Sequence, residues 1–167
     1  MATTTQTTHT LEEVRAYCQD LLGQKSGGVV HEYERLVRTE QDLLDIAGVR
    51  NERGNYEIHG WTITAETDSA DSDVSIDDTP DFTFVRNYTM VFRGFFGLAD
   101  KQATGRLWQD TIEKVLDGFD ADPLLGGTAN WTPPIAGRVR DQHREYGNYM
   151  VHYCELVLIV RLRRDRV

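Results

Sequence analysis

The chain has 167 residues, 40% of them hydrophobic, and a formal net charge of −9 at pH 7. That length suits one domain with a core that needs no staples, and apolar residues spread from Leu11 to Leu162 exclude a wholly disordered chain. The acidic balance argues against a protein that grips DNA or an anionic membrane, which would gather Lys and Arg on a basic face, and no apolar run approaches the roughly 18–20 residues of a membrane span.

The opening "MATTTQTTHT" has neither a basic nor an apolar signal region, so residues 1–9 read as a disordered tail of a protein expected to be soluble and made inside the cell. Thr10 followed by Glu13 is a capping box. It opens a helix whose Leu11, Val14, Tyr17, Cys18, Leu21 and Leu22 form one apolar stripe, ended by "KSGG". "VVHEYERLV" predicts a strand, and Thr39 caps a short helix that should stop at Gly48 in a left-handed conformation.

"NYEIHGWTITAE" alternates Trp61, Ile63 and Ala65 with polar or small residues and predicts a half-buried strand, and "DFTFVRNYTMVFRG" predicts a longer one. Between them, Thr67 to Asp81 carries six Asp, no basic residue and few apolar ones. Such a segment cannot bury enough surface to offset its ordering entropy, so 67–81 is expected to be a mobile acidic hairpin tip. It should be dispensable for folding and needed for assembly.

From Thr104 to Phe119, Leu107, Trp108, Ile112, Val115, Leu116 and Phe119 share one side of the second main helix. A Gly- and Pro-rich loop follows, containing "NWTPP". "IAGRVRDQH" and the final strand then make a hairpin that turns near Gly147 and Asn148. The last strand places Met150, His152, Cys154, Leu156, Leu158, Val160 and Leu162 on one face. Val151, Tyr153, Glu155, Val157, Ile159 and Arg161 lie on the other, and neither face reads as freely solvated. The expected architecture is α+β: a mainly antiparallel sheet of about five strands, two main helices on one face, and a long β-hairpin with an acidic tip.

Motifs for chemistry are weak. "GQKSGG" lacks the glycine spacing of a phosphate loop. His152 and Cys154 share a strand face, but a metal site needs three or four ligands, and core packing is the better reading. His31, Glu32, Glu34 and Arg35 alternate as a solvated or interface strand edge does, without a catalytic signature. The Asp-rich segment lacks the order of a calcium loop. Cys18 and Cys154 fit no zinc or redox spacing and read as buried thiols. No cofactor, metal or catalytic residue is assigned, and the chain is not expected to be an enzyme. The acidic residues Asp68, Asp71, Asp73, Asp77 and Asp78 instead find a counterpart in Arg161, Arg163, Arg164 and Arg166, which together suggest a subunit or ring interface.

The order of a capped helix, "VVHEYERL", "NYEIHGWTIT" leading into a long hairpin, a Trp-bearing helix and "GNYMVHYCELVLIVRL" resembles the tail terminator, or tail completion, proteins of tailed bacteriophages, over roughly Leu11 to Arg163. The resemblance implies a virion structural protein: a homo-oligomeric, hexameric ring that caps the tail tube and joins it to the head connector. Its partners would be a tail tube protein below and a head-connector protein above. DNA would pass through the lumen without specific binding, no membrane would be involved, and the protein would be made in the host cytoplasm and reside in the virion tail or neck. A connector adaptor or stopper, or a tail tube subunit, is the nearest alternative. From another class comes a small-ligand-binding or enzymatic domain that uses the aromatics of "NYTMVFRGFFG" as pocket lining.

Overall fold

Helix α1 (Leu11–Ser26) starts where the capping box places it: Thr10 Oγ1 accepts from the Glu13 amide, and the Glu13 carboxylate accepts from the Thr10 amide. It ends at Gly27, whose φ of 70° is the left-handed conformation a glycine takes without strain. The computed structural model describes residues 9–33, 35–50, 52–67, 83–98, 104–129, 132 and 136–165. After α1 come β1 (Val29–His31), α2 (Glu40–Ala47), β2 (Gly48–Arg50), β3 (Tyr56–Thr67) and β4 (Thr83–Gly97). Helix α3 (Thr104–Asp120), β5 (Ala136–Tyr146) and β6 (Tyr149–Asp165) complete the order.

The molecule is α+β, with a six-stranded open sheet in the order β1-β3-β4-β6-β5 and β2 alongside the start of β3. Every neighbouring pair is antiparallel except β1 and β3. The β5–β6 hairpin closes through Gly147 and Asn148, between the paired Tyr146 and Tyr149, with Gly147 at φ 59°. No described helix is long and apolar enough to cross a membrane.

Helices α1 and α3 cover one face of the sheet. Val14, Cys18 and Leu22 of α1 and Trp108, Ile112, Val115 and Phe119 of α3 pack against Trp61, Ile63, Met90, Phe92, Cys154, Leu156, Leu158, Val160 and Leu162. A close approach is made at Gly94, where a Cβ would come within 2.6 Å of the Trp108 ring and 2.7 Å of the Trp61 ring. The missing side chain on β4 is what lets the two indoles meet over the strand, 5.3 Å apart between centroids.

A second, smaller core lies on the opposite face, under α2. Leu43, Ile46 and Ala47 pack on Ile58, Phe95, Tyr146, Val151 and Tyr153. Helix α2 comes this close because β3 has Gly60 beneath it, where a Cβ would stand 2.7 Å from the Ala47 Cα.

Four expectations are corrected by this arrangement. "VVHEYERLV" forms only a three-residue strand, because after His31 the chain bends away to carry α2 to the other face, and Tyr33 and Leu36 are left exposed. Gly48 is extended (φ −77°, ψ 121°) and begins β2; glycine is needed there because a Cβ would lie 2.3 Å from the Leu44 carbonyl oxygen. Strand β3 is not half-buried throughout, since Ile58 and Thr62 on its second face are also buried. Leu107 is 51% exposed rather than part of the α3 stripe, which runs through Trp108, Ile112, Val115 and Phe119.

The same two cores explain the final strand. Its residues from His152 to Leu162 on the first face are covered by α1 and α3, whereas Met150, at 46% exposed, falls outside them. On the second face Val151 and Tyr153 are covered by the α2 core, but Glu155 and Val157 are half-buried and Ile159 is 41% exposed. The strand is apolar on both faces for two different reasons at its start, and for only one at its end.

Cys18 and Cys154 are both fully buried, and burial pushes the Cys18 thiol up to about 12. A water-soluble thiol reagent should therefore label neither residue rapidly in the native protein and both after unfolding. Rapid native labelling would contradict this packing.

Candidate functional site

Beyond the α2 core, the second face of the sheet is uncovered by any described helix. It presents cross-strand rows fixed by register: Thr64, Val91 and Val157, then Glu66, Thr89 and Ile159, then Asn87 and Arg161. Glu66, Ile159 and Arg161 are exposed.

A charged cluster marks the boundary between the small core and this open face. The Arg93 guanidinium donates to Glu155 Oε1 at 3.2 Å and to Thr64 Oγ1 at 3.0 Å. The Tyr153 hydroxyl donates to the same Glu155 oxygen, and the Arg144 guanidinium lies 3.4 Å from the Tyr153 ring centroid. The Tyr153 hydroxyl and the Arg93 guanidinium together hold the Glu155 carboxyl below its usual range. Burial, with the bond to Glu155, pushes the Tyr153 phenol above its own.

The depressed Glu155 carboxyl contributes stability that is complete above the ordinary glutamate pKa and lost as pH falls through the lowered one. Glu155→Gln should therefore lower unfolding free energy by about 1 kcal/mol near neutral pH, the scale of a partly screened charge-assisted hydrogen bond. The gap between wild type and variant should close on acidification. Denaturant titrations at several pH values check this, and a gap that widened in acid would contradict the assignment.

The sequence singled out Arg161, Arg163, Arg164 and Arg166. Arg161 is exposed on β6 opposite Asn87, while Arg163 and Arg164 are at backbone positions paired with Val85 and Phe84. Arg166 lies outside the described residues, as do Asp68, Asp71, Asp73, Asp77 and Asp78 and with them the expected acidic tip. With the acidic set outside the described residues, the structure fixes only where each run begins. Thr67, the last residue of β3, is level with Tyr88 and Val160, so the Asp-rich sequence continues from the end of the sheet at which the arginines start.

That end of the sheet is also where strands outrun their neighbours. Among the described residues β5 stops pairing with β6 at Ala136↔Val157, whereas β4 and β6 stay in register to Thr83↔Asp165. On the other margin β1 pairs with β3 only as far as Thr62, leaving the outer edge of Ile63–Thr67 without a described strand. Among the described residues, 158–165 of β6 and 63–67 of β3 have no strand beside their outer edges, on opposite margins of one sheet.

Sequence reasoning missed the Arg93–Glu155 cluster. The available signal was a lone charge in each of two apolar runs, "TMVFRGFF" and "VHYCELVL", of opposite sign. Of the aromatics of "NYTMVFRGFFG", Phe92 stacks on Phe119, Phe96 on Trp108, and Phe95 packs in the second core against Tyr153. His152, at 3% exposed, has Nε2 3.3 Å from Thr104 Oγ1 and its ring against His143, as a core histidine does. The chain matches no protein-family model and no curated protein sequence.

Proposed function

We propose that the chain is a ring-forming virion subunit, a tail terminator that caps the tail tube and joins it to the head connector. The observation that carries this reading is the overrunning β4–β6 ribbon, with exposed Ile159 and Arg161 on a sheet face that no described helix covers. A strand of seventeen residues is about three times the usual length. Past β5 it pairs with β4 on one side, and among the described residues no strand lies on its other side, which suits contact with other chains.

Charge supports the same reading. An acidic run and an arginine run start from one end of the sheet, and in a head-to-tail ring each subunit meets its neighbour with a different patch. A net charge of −9 also suits a channel through which DNA passes without adhering.

The test is to raise an antibody to the chain and label intact virions from cells that encode it. A terminator is marked once per particle, at the junction of head and tail. Label along the whole tail would assign a tube subunit instead, and particles without label would reject a virion role.

A further inference from the structure

We propose that His59 is an acid-sensitive wedge: protonation drives its imidazole out of the seat between Gly28 and Phe96 and loosens the junction of α1 with β1. The switch belongs to the subunit itself and acts with or without a ring.

Alternation along β3 puts His59 on the sheet face that carries Trp61 and Ile63. Its ring meets Phe96, the cross-strand partner on β4, edge to face, with centroids 4.9 Å apart. Phe96 in turn stacks on Trp108 of α3 at 5.5 Å. On the other side lies the turn that carries α1 into β1. A Cβ at Gly28 would stand 2.8 Å from His59 Cδ2 and 3.1 Å from Nε2, so the turn passes over the ring only because residue 28 has no side chain. One imidazole thus touches the α1–β1 turn directly and the start of α3 through Phe96.

The seat fits the neutral ring and not the charged one. His59 Nε2 is buried with no hydrogen-bond partner among the described residues. A neutral imidazole leaves one polar atom unsatisfied there, whereas an imidazolium places a charged N–H with nothing to accept it, which costs far more. The charged groups on the surrounding elements do not offset this. Lys25, at the end of α1, has the wrong sign, and its stem lies over Gly118. Glu57, two residues away on β3, is exposed. Arg93 of β4 and His31 of β1 belong to the opposite face, where they meet Glu155 and the Ile46 carbonyl oxygen. Burial alone holds the His59 imidazole below the usual histidine range.

The unfolded chain takes up this proton near the ordinary value of about 6.5, and the folded chain only below it. The stability due to the neutral ring is therefore complete above the ordinary value and is lost as pH falls from there to the lowered one. Because His59 is only half-buried, a charged ring has a short path to water, and taking it empties the space beneath Gly28.

NMR titration of the folded protein from about pH 8 to about pH 5, the range in which histidine changes charge, reads the switch. The His59 imidazole should titrate below the ordinary histidine value. With the same midpoint, the Gly28 and Val30 amides should shift and, after correction for intrinsic rate, exchange faster. In His59→Phe, which keeps an aromatic ring on Phe96, and in His59→Gln, which keeps a polar side chain, those amides should not respond. A His59 midpoint at or above the ordinary value overturns the proposal. So do silent amides in the wild type, or an unchanged amide response in either variant. If neither variant folds, the wild-type midpoint and its amide response decide the matter.

Discussion

Trp108→Ala should remove about 3–5 kcal/mol of unfolding free energy, the range for deleting a large buried aromatic side chain. Trp108 is fully buried where α3 crosses the sheet; its ring is 5.3 Å from Trp61 and 5.5 Å from Phe96, over the gap left by Gly94. Its removal would take from both rings a packing partner over β4 and leave a cavity there. Trp108→Phe should cost much less. The indole N–H is buried without a hydrogen-bond partner among the described residues, and an unsatisfied donor carries a penalty of about 1–3 kcal/mol that phenylalanine removes. Urea titrations at one fixed protein concentration check both values, since assembly would add to apparent stability. Equal losses for Ala and Phe would show that the indole volume is not what holds α3 to the sheet.

Replacing Arg161, Arg163, Arg164 and Arg166 together with Gln should leave the subunit folded and slow its assembly about tenfold or more at low salt, the scale of electrostatic steering. Exposed ion pairs contribute roughly 0–1 kcal/mol each, so one substitution should have little effect and the group a large one. The substitution takes the net charge from −9 to −13, because four positive charges are removed. Changing the same residues to Lys keeps the charge and should keep the rate. Salt should slow the wild type and scarcely affect the Gln variant. If the arginines only guard the β6 edge against pairing, the Gln variant will associate faster and aggregate. Light scattering over a salt series distinguishes these results.

Much of the fold is legible in the sequence because local chemistry and tertiary demand agree. Thr10 with Glu13, and Thr39 with Asp42, make capping boxes that fix where α1 and α2 start. In β6 the alternation His152, Cys154, Leu156, Leu158, Val160, Leu162 is the face that α1 and α3 cover. What was not legible depends on contacts distant in sequence. Gly48 looks like a helix-ending glycine in the left-handed conformation, and nothing local reveals that it is required by the Leu44 carbonyl instead. The second core needs α2 to fold over Gly60, so Ile58, Phe95, Val151 and Tyr153 cannot be recognised as one cluster before the strands are in register. The Arg93–Glu155 pair joins residues far apart in the chain and becomes visible only with the β4–β6 pairing. The surface proposed for assembly was half legible. Both charged runs stand out in the sequence, while the edges they extend are a property of which strand outruns which.

The central claim, that this chain builds a ring, is tested most directly by the mass of the purified protein in solution. Sedimentation equilibrium at micromolar concentration should give a single species close to six times the mass of the chain, with partial dissociation as salt is raised. A species of one chain mass at every concentration and salt would contradict the account.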